Sequence, residues 1–302
     1  MAHTSQNKRT VTRTSMRRTL RREVPSTVGI LADEQDFTAM RHYDSFTFDD
    51  HPTYLRQTEH LLKSLASQQL HTSAALFDPD EFAEFCAEAG LDADTAESRS
   101  RFTAEIAGRG ATVPYTGQPL GSLLPELINT AVRQATWEYA TMLLADLGAC
   151  ADCGQDIGRF AFDRASHALM RLLELAGPGD HHLVCSIAGP DEQLLAVLHT
   201  HAAAGSPAQL EASEGAEFVT VLAAGIALES PGGLVLRTSA PDSADRLHGW
   251  RLTQGRLTPL TAGEVFSAYC TDAATGDPVS PEPGVEYCAG FPLVTDDPES
   301  HH

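Results

Sequence analysis

Lysine is nearly missing from this chain: only Lys8 and Lys63 occur in 302 residues. No apolar run approaches the ~20 residues a membrane-spanning helix needs. The first apolar run, Val28 to Ala32, is too short for the core of a secretory signal, so the expected address is the cytoplasm. Nucleotide-binding glycine loops of the Walker A and G-x-G-x-x-G types are missing, as is the G-x-S-x-G elbow that carries a nucleophilic serine. The HxE plus PCxxC set of zinc deaminases does not occur either. Cysteine is sparse. Six thiols without an export signal read as free thiols rather than a disulfide framework.

Acid, in contrast, is plentiful. Asp and Glu number 41 against 21 Lys and Arg, a net charge of −20. Seven of the basic residues lie within residues 1–22, which hold no acid, so the remaining 14 face 41 acids, a balance of −27. A body this acidic repels nucleic acid and anionic membrane, and only the basic segment could attract them. Arginine and alanine are favoured over lysine, a bias expected of a high-G+C bacterial genome.

Residues 1–39 read as a disordered basic tail, with Met40 as a possible alternative start, because Thr, Ser and Arg dominate and apolar periodicity is weak. Residues 40–147 read as an α/β domain. "YDSFTF" (43–48), "HTSAALF" (71–77) and "ATVPYTG" (111–117) have strand character, and helical patterns separate them. This order predicts a three-strand parallel layer. "GACADCGQ" (148–155) breaks the helical pattern and marks the expected boundary. Residues 155–270 then run helix, two strands, helix, three strands, helix, with a hairpin turn at Gln254-Gly255. Residues 271–302, rich in proline and acid, read as a second tail.

Two acidic corners carry the first functional question. "FTFDDHPTYL" and "ALFDPDEFAEF" each end a strand-like run in aspartates and a proline before a helix. If both runs are parallel neighbours, Asp49, Asp50, Asp78 and Asp80 gather at the carboxyl edge of one sheet, where Mg²⁺ or Mn²⁺ could bind for phosphoester hydrolysis. The same residues also suit helix capping: Asp50 or His51 as one N-cap and Asp78 as the other, with Pro52 and Pro79 in the first turn. Capping accounts for every one of them without a metal.

"CADCG" sets Cys150 and Cys153 at zinc-ligand spacing, and "HHLVC" offers His182 and Cys185, with His181 as a spare. Strand alternation would point His182 and Cys185 to opposite faces. "LHTH" places His199 and His201 on one strand face.

The element order over residues 155–270 is similar to the roadblock/LC7 fold, which resembles profilin in layout. That resemblance implies a dimerisation or docking module. "DPD" at 78–80 resembles the D-x-D of haloacid dehalogenase phosphatases, but Phe82 stands where that motif has Thr or Val. The expected function is therefore a non-enzymatic cytoplasmic regulatory or protein-interaction protein, meeting a protein partner or itself through its C-terminal domain and needing no cofactor. The alternatives are a metal-dependent phosphoester hydrolase and a structural zinc protein.

Overall fold

The computed structural model describes residues 26–206, 208–241, 243–272 and 274–293. They form a mixed α/β structure with two sheets and eight helices. The chain divides into two compact units, residues 1–134 and 135–302.

In the first unit, β1 (Ser26–Ile30) pairs parallel with β2 (Thr72–Leu76), and β2 pairs antiparallel with β3 (Thr112–Pro114). Four of the five β2 residues are buried, because helices cover both faces of the sheet. On one face α1 (Glu34–Met40), α3 (Pro79–Ala89) and α4 (Ala96–Arg109) bring Phe37, Met40, Phe82, Cys86, Phe102 and Ile106 against Ala75 and Phe77. On the other, Leu62 of α2 (His51–Ser67) and Leu120, Leu123 and Leu127 of α5 (Leu120–Asp146) meet Ile30, Ala74 and Val113. Adjacent residues Ile30 and Leu31 thus feed different cores, as the two-residue period of a strand requires.

Three expectations are corrected here. Residues 26–39 are not a tail, since they supply β1 and most of α1; residues 1–25 lie outside the described residues. "YDSFTF" is not a strand. The Asp94 carboxylate accepts the backbone N–H groups of Asp44 and Ser45, and Phe46 and Phe48 pack as an aromatic cluster on Tyr54. Donors captured by a side chain cannot serve a ladder. Nor is the layer all parallel: β3 returns directly after α4 and runs antiparallel.

The second unit is built on a six-stranded sheet. Its order is β5 (Gln193–Ala202), β4 (Gly179–Ala188), β6 (Gly232–Ser239), β7 (Asp245–Thr253), β8 (Arg256–Pro259), all antiparallel. β9 (Val285–Cys288) pairs parallel with β7. One face is covered by α6 (Ile157–Ala176) and α7 (Ala212–Ala227). Every residue from Phe218 to Ile226 is buried, so beyond its polar first turns α7 is enclosed all round and forms the centre of this core. Gly225 allows a close approach to the sheet: a Cβ there would stand 2.6 Å from Ile187 Cδ1 and 2.7 Å from Leu252 Cδ2. The β7–β8 turn has positive φ at both Gln254 and Gly255, the primed two-residue hairpin their sequence anticipates. A capping box of Thr261 and Glu264 starts α8 (Ala262–Tyr269).

Two boundaries also shift. The division between units falls inside α5 instead of at 148–155, because Ala140, Tyr139, Leu143 and Leu144 pack in the second core. The C-terminal stretch is not simply a tail: β9 joins the sheet, and Trp250 Nε1 donates to the Phe291 carbonyl at 2.9 Å. Residues 294–302 lie outside the described residues.

Candidate functional sites

The acidic corners resolve first into caps. Asp50 Oδ1 accepts the Thr53 N–H at 2.6 Å and starts α2, and this hydrogen bonding holds its carboxyl below the usual range. Asp78 Oδ1 accepts from Asp80 N at 2.8 Å and Glu81 N at 3.0 Å, starting α3. Asp49 and Asp80 are exposed. The carboxylates that influence one another near the carboxyl ends of β1 and β2 are a different set. Asp36 lies in the field of Asp33, Asp78 and Asp80, and burial together with those three charges raises its pKa. Asp33 and Asp36 replace Asp49 and Asp50 because β1, not residues 43–48, is the strand beside β2. The signal was present in "STVGILADEQD", a β-branched run closed by an aspartate cap.

The proposed zinc set does not assemble. Cys185 is fully buried in the core and burial pushes its thiol up to about 12. His182 points from the other face of β4 and is exposed. His181, the spare, is buried: its Nε2–H donates to the Gly177 carbonyl at 3.0 Å, so Nδ1 accepts from the Thr238 hydroxyl at 3.1 Å. Among the described residues, no group of three or more His, Cys, Asp or Glu is placed to hold a metal ion. Cys150 and Cys153 remain as a pair in the α5–α6 turn.

Two surfaces stand out. In the first unit a groove of about 750 Å³ follows the outer side of β1, lined by Val28, Leu61, Leu65, Phe46 and small residues of α4, with Arg99 at its side. Arg99 is engaged there, donating to Ser45 Oγ at 2.8 Å. In the second unit the sheet face opposite α6 and α7 carries cross-strand rows in register: His199–His182–Arg237, Val197–Val184–Val235 and Leu195–Ser186–Gly233. α8 covers this face only beyond them, with Val265 over Gly249. The His182 and His199 rings stack at 4.6 Å, and Arg237 is held by Glu282 through two hydrogen bonds. Leu195 stays 51% exposed, so the rows form an open, partly apolar floor.

Among the described residues no helix is long and apolar enough to cross a membrane. No curated protein and no solved structure matches the chain. A family model described as a domain of unknown function (DUF8829) matches residues 15–118, a stretch that ends just before α5 and so falls within the first unit.

Proposed function

We propose that this chain is a non-enzymatic regulatory or protein-interaction protein of the bacterial cytoplasm, with the open sheet face of the second unit as its docking surface. The observation that carries this reading is the Val197–Val184–Val235 row, flanked by Leu195 and the His182–His199 stack, on the part of the face that α8 leaves uncovered where it stops over Gly249. In a chain of net charge −20, a floor whose acids, Asp180, Asp245 and Glu282, lie at one end and are engaged by His201 and Arg237 is where a protein surface or a second copy can approach with least repulsion. The order helix, two strands, helix, three strands, helix agrees with a roadblock/LC7-like module; the likeness rests on that order alone. The test is Val184→Glu with Val235→Glu. Sedimentation velocity and affinity capture should both register the loss of self-association or of a bound protein, with far-ultraviolet circular dichroism unchanged. Variants that leave every association intact would sink the reading.

A second reading, a Mg²⁺- or Mn²⁺-dependent phosphoester hydrolase, draws only on the field that Asp33, Asp78 and Asp80 exert on Asp36; these carboxylates are not placed as a ligand set, so an entering ion would have to draw them together. It requires Mg²⁺-dependent release of phosphate from a generic ester such as p-nitrophenyl phosphate, abolished by Asp36→Asn. Absence of any divalent-dependent turnover removes it.

A further inference from the structure

We infer that Cys150 and Cys153 form a redox-active dithiol that closes to an intramolecular disulfide by exchange with low-molecular-weight disulfides. The inference is independent of the docking face. It starts from the backbone of the α5–α6 turn. Gly154 N donates to the Cys150 carbonyl at 2.8 Å, an i→i+4 turn. Such a turn is close to one helical turn and sets residues three apart at about 5–6 Å between Cα atoms. That lies within the roughly 4.4–6.8 Å a disulfide spans. The turn is held from both ends. Cys150 N donates to Gln155 O at 2.7 Å, Ile157 N donates to Gly148 O at 3.0 Å, and Ala149 bridges Asp156. Gly148 and Gly154 supply the two left-handed residues that bring the chain into and out of it. The thiols are therefore presented as neighbours before any bond forms.

Access and ionisation separate this pair from the other cysteines. Cys153 is exposed and Cys150 half-buried, while Cys86, Cys185 and Cys270 are buried. Cys288 is partly buried, has its Sγ directed at the Glu286 carbonyl, and has its thiol pushed up by burial. The backbone N–H groups of Cys153 and Asp152, followed by the Cys153 thiol, hold the Cys150 thiol below its ordinary value. A thiolate stabilised by N–H donors beside an accessible second thiol is the arrangement exchange chemistry uses.

The chemistry balances as two exchanges. The Cys150 thiolate attacks one sulfur of a small disulfide, breaking its S–S bond and releasing one thiolate, which takes up a proton. The Cys153 thiol then gives up its proton and its sulfur attacks Cys150 Sγ, expelling the second small thiol. Two protein thiols are oxidised to one disulfide, and one small disulfide is reduced to two thiols.

The experiment equilibrates the full chain in glutathione redox buffers, traps remaining thiols by alkylation and maps the peptides by mass spectrometry. A reversible loss of two alkylatable thiols, with a Cys150–Cys153 link, is expected. Cys153→Ser should instead accumulate a glutathione mixed disulfide on Cys150, and Cys150→Ser should slow the reaction of Cys153 at least tenfold. The proposal is overturned if glutathione disulfide produces only links between chains, if oxidation maps to Cys288, or if the pair holds stoichiometric zinc and resists oxidation until chelated.

Discussion

Leu31 N donates to Tyr54 Oη at 3.1 Å, and the same hydroxyl reaches the Gly29 carbonyl at 3.4 Å. A side chain of α2 thereby closes the end of β1, where the ladder to β2 runs out. Tyr54 is buried, so Tyr54→Phe would leave the Leu31 N–H without its partner. The expected cost is about 1–3 kcal/mol, read as a lower urea midpoint with unchanged slope. A variant as stable as the parent would mean water replaces the hydroxyl.

Asp78 separates capping from catalysis. As a cap it should tolerate Asp78→Asn almost without loss, while Asp78→Ala should cost about 0.5–2 kcal/mol. A metal ligand behaves differently: Asp78→Asn would abolish stabilisation by Mg²⁺ or Mn²⁺ and spare metal-free stability. Thermal melts of the three proteins with and without each ion distinguish the cases.

Asp36 should make folding more favourable in acid than at neutral pH. Its pKa is raised by burial and by Asp33, Asp78 and Asp80. A raised carboxyl pKa favours the folded state while the group is protonated, below its unfolded value of 3.8, and this advantage is lost as pH rises through the folded pKa. At pH 7 the ionised group is a burden. Asp36→Asn should therefore melt higher than the parent at pH 7, with the difference shrinking towards pH 4. A gap independent of pH would point to a packing effect.

His181 has the opposite slope in the second unit. Burial lowers its pKa from 6.5, outweighing the Gly177 hydrogen bond, which acts the other way, and the Thr238 hydroxyl suits the neutral ring. Its contribution is present above pH 6.5 and is lost as pH falls through the lower folded value. Stability of the parent should drop between pH 7 and 5, and His181→Phe should flatten that part of the profile even if it lowers stability throughout. An equally steep profile in the variant would assign the pH dependence elsewhere.

Gly225→Ala tests the α7 packing. The added methyl would meet Ile187 and Leu252 at under 3 Å, forcing core side chains from their rotamers. A loss of about 1–3 kcal/mol is expected, measured by denaturant unfolding. A neutral result would show that the ends of both side chains yield without strain.

Local patterns announced much of the second unit. The β4–β5 and β7–β8 hairpins, α6, α7 and the capped α8 all follow from alternation, helical spacing and turn residues within a few positions of each other. Asp78 was legible as a cap for the same reason, and the first corner as Asp50 or His51, of which the structure takes Asp50: a cap is decided by three or four consecutive residues. Alternation along β4 also foretold that His182 and Cys185 would part company.

What tertiary structure alone decided is everything that depends on a partner far along the chain. The alternating aromatics of residues 43–48 look like a strand, but the Asp94 carboxylate, about fifty positions away, takes the N–H groups of Asp44 and Ser45 between them. The short run Ser26–Ile30 looks too slight to matter, yet β2 lies beside it and gives every residue a ladder partner. That substitution of one strand for another moved the acidic grouping from Asp49 and Asp50 to Asp33 and Asp36. Likewise, β9 exists because β7 presents it an open edge. Sequence determines which segments can be helix, turn or strand; long-range hydrogen bonding and burial choose which of them pair, and so which side chains share a surface.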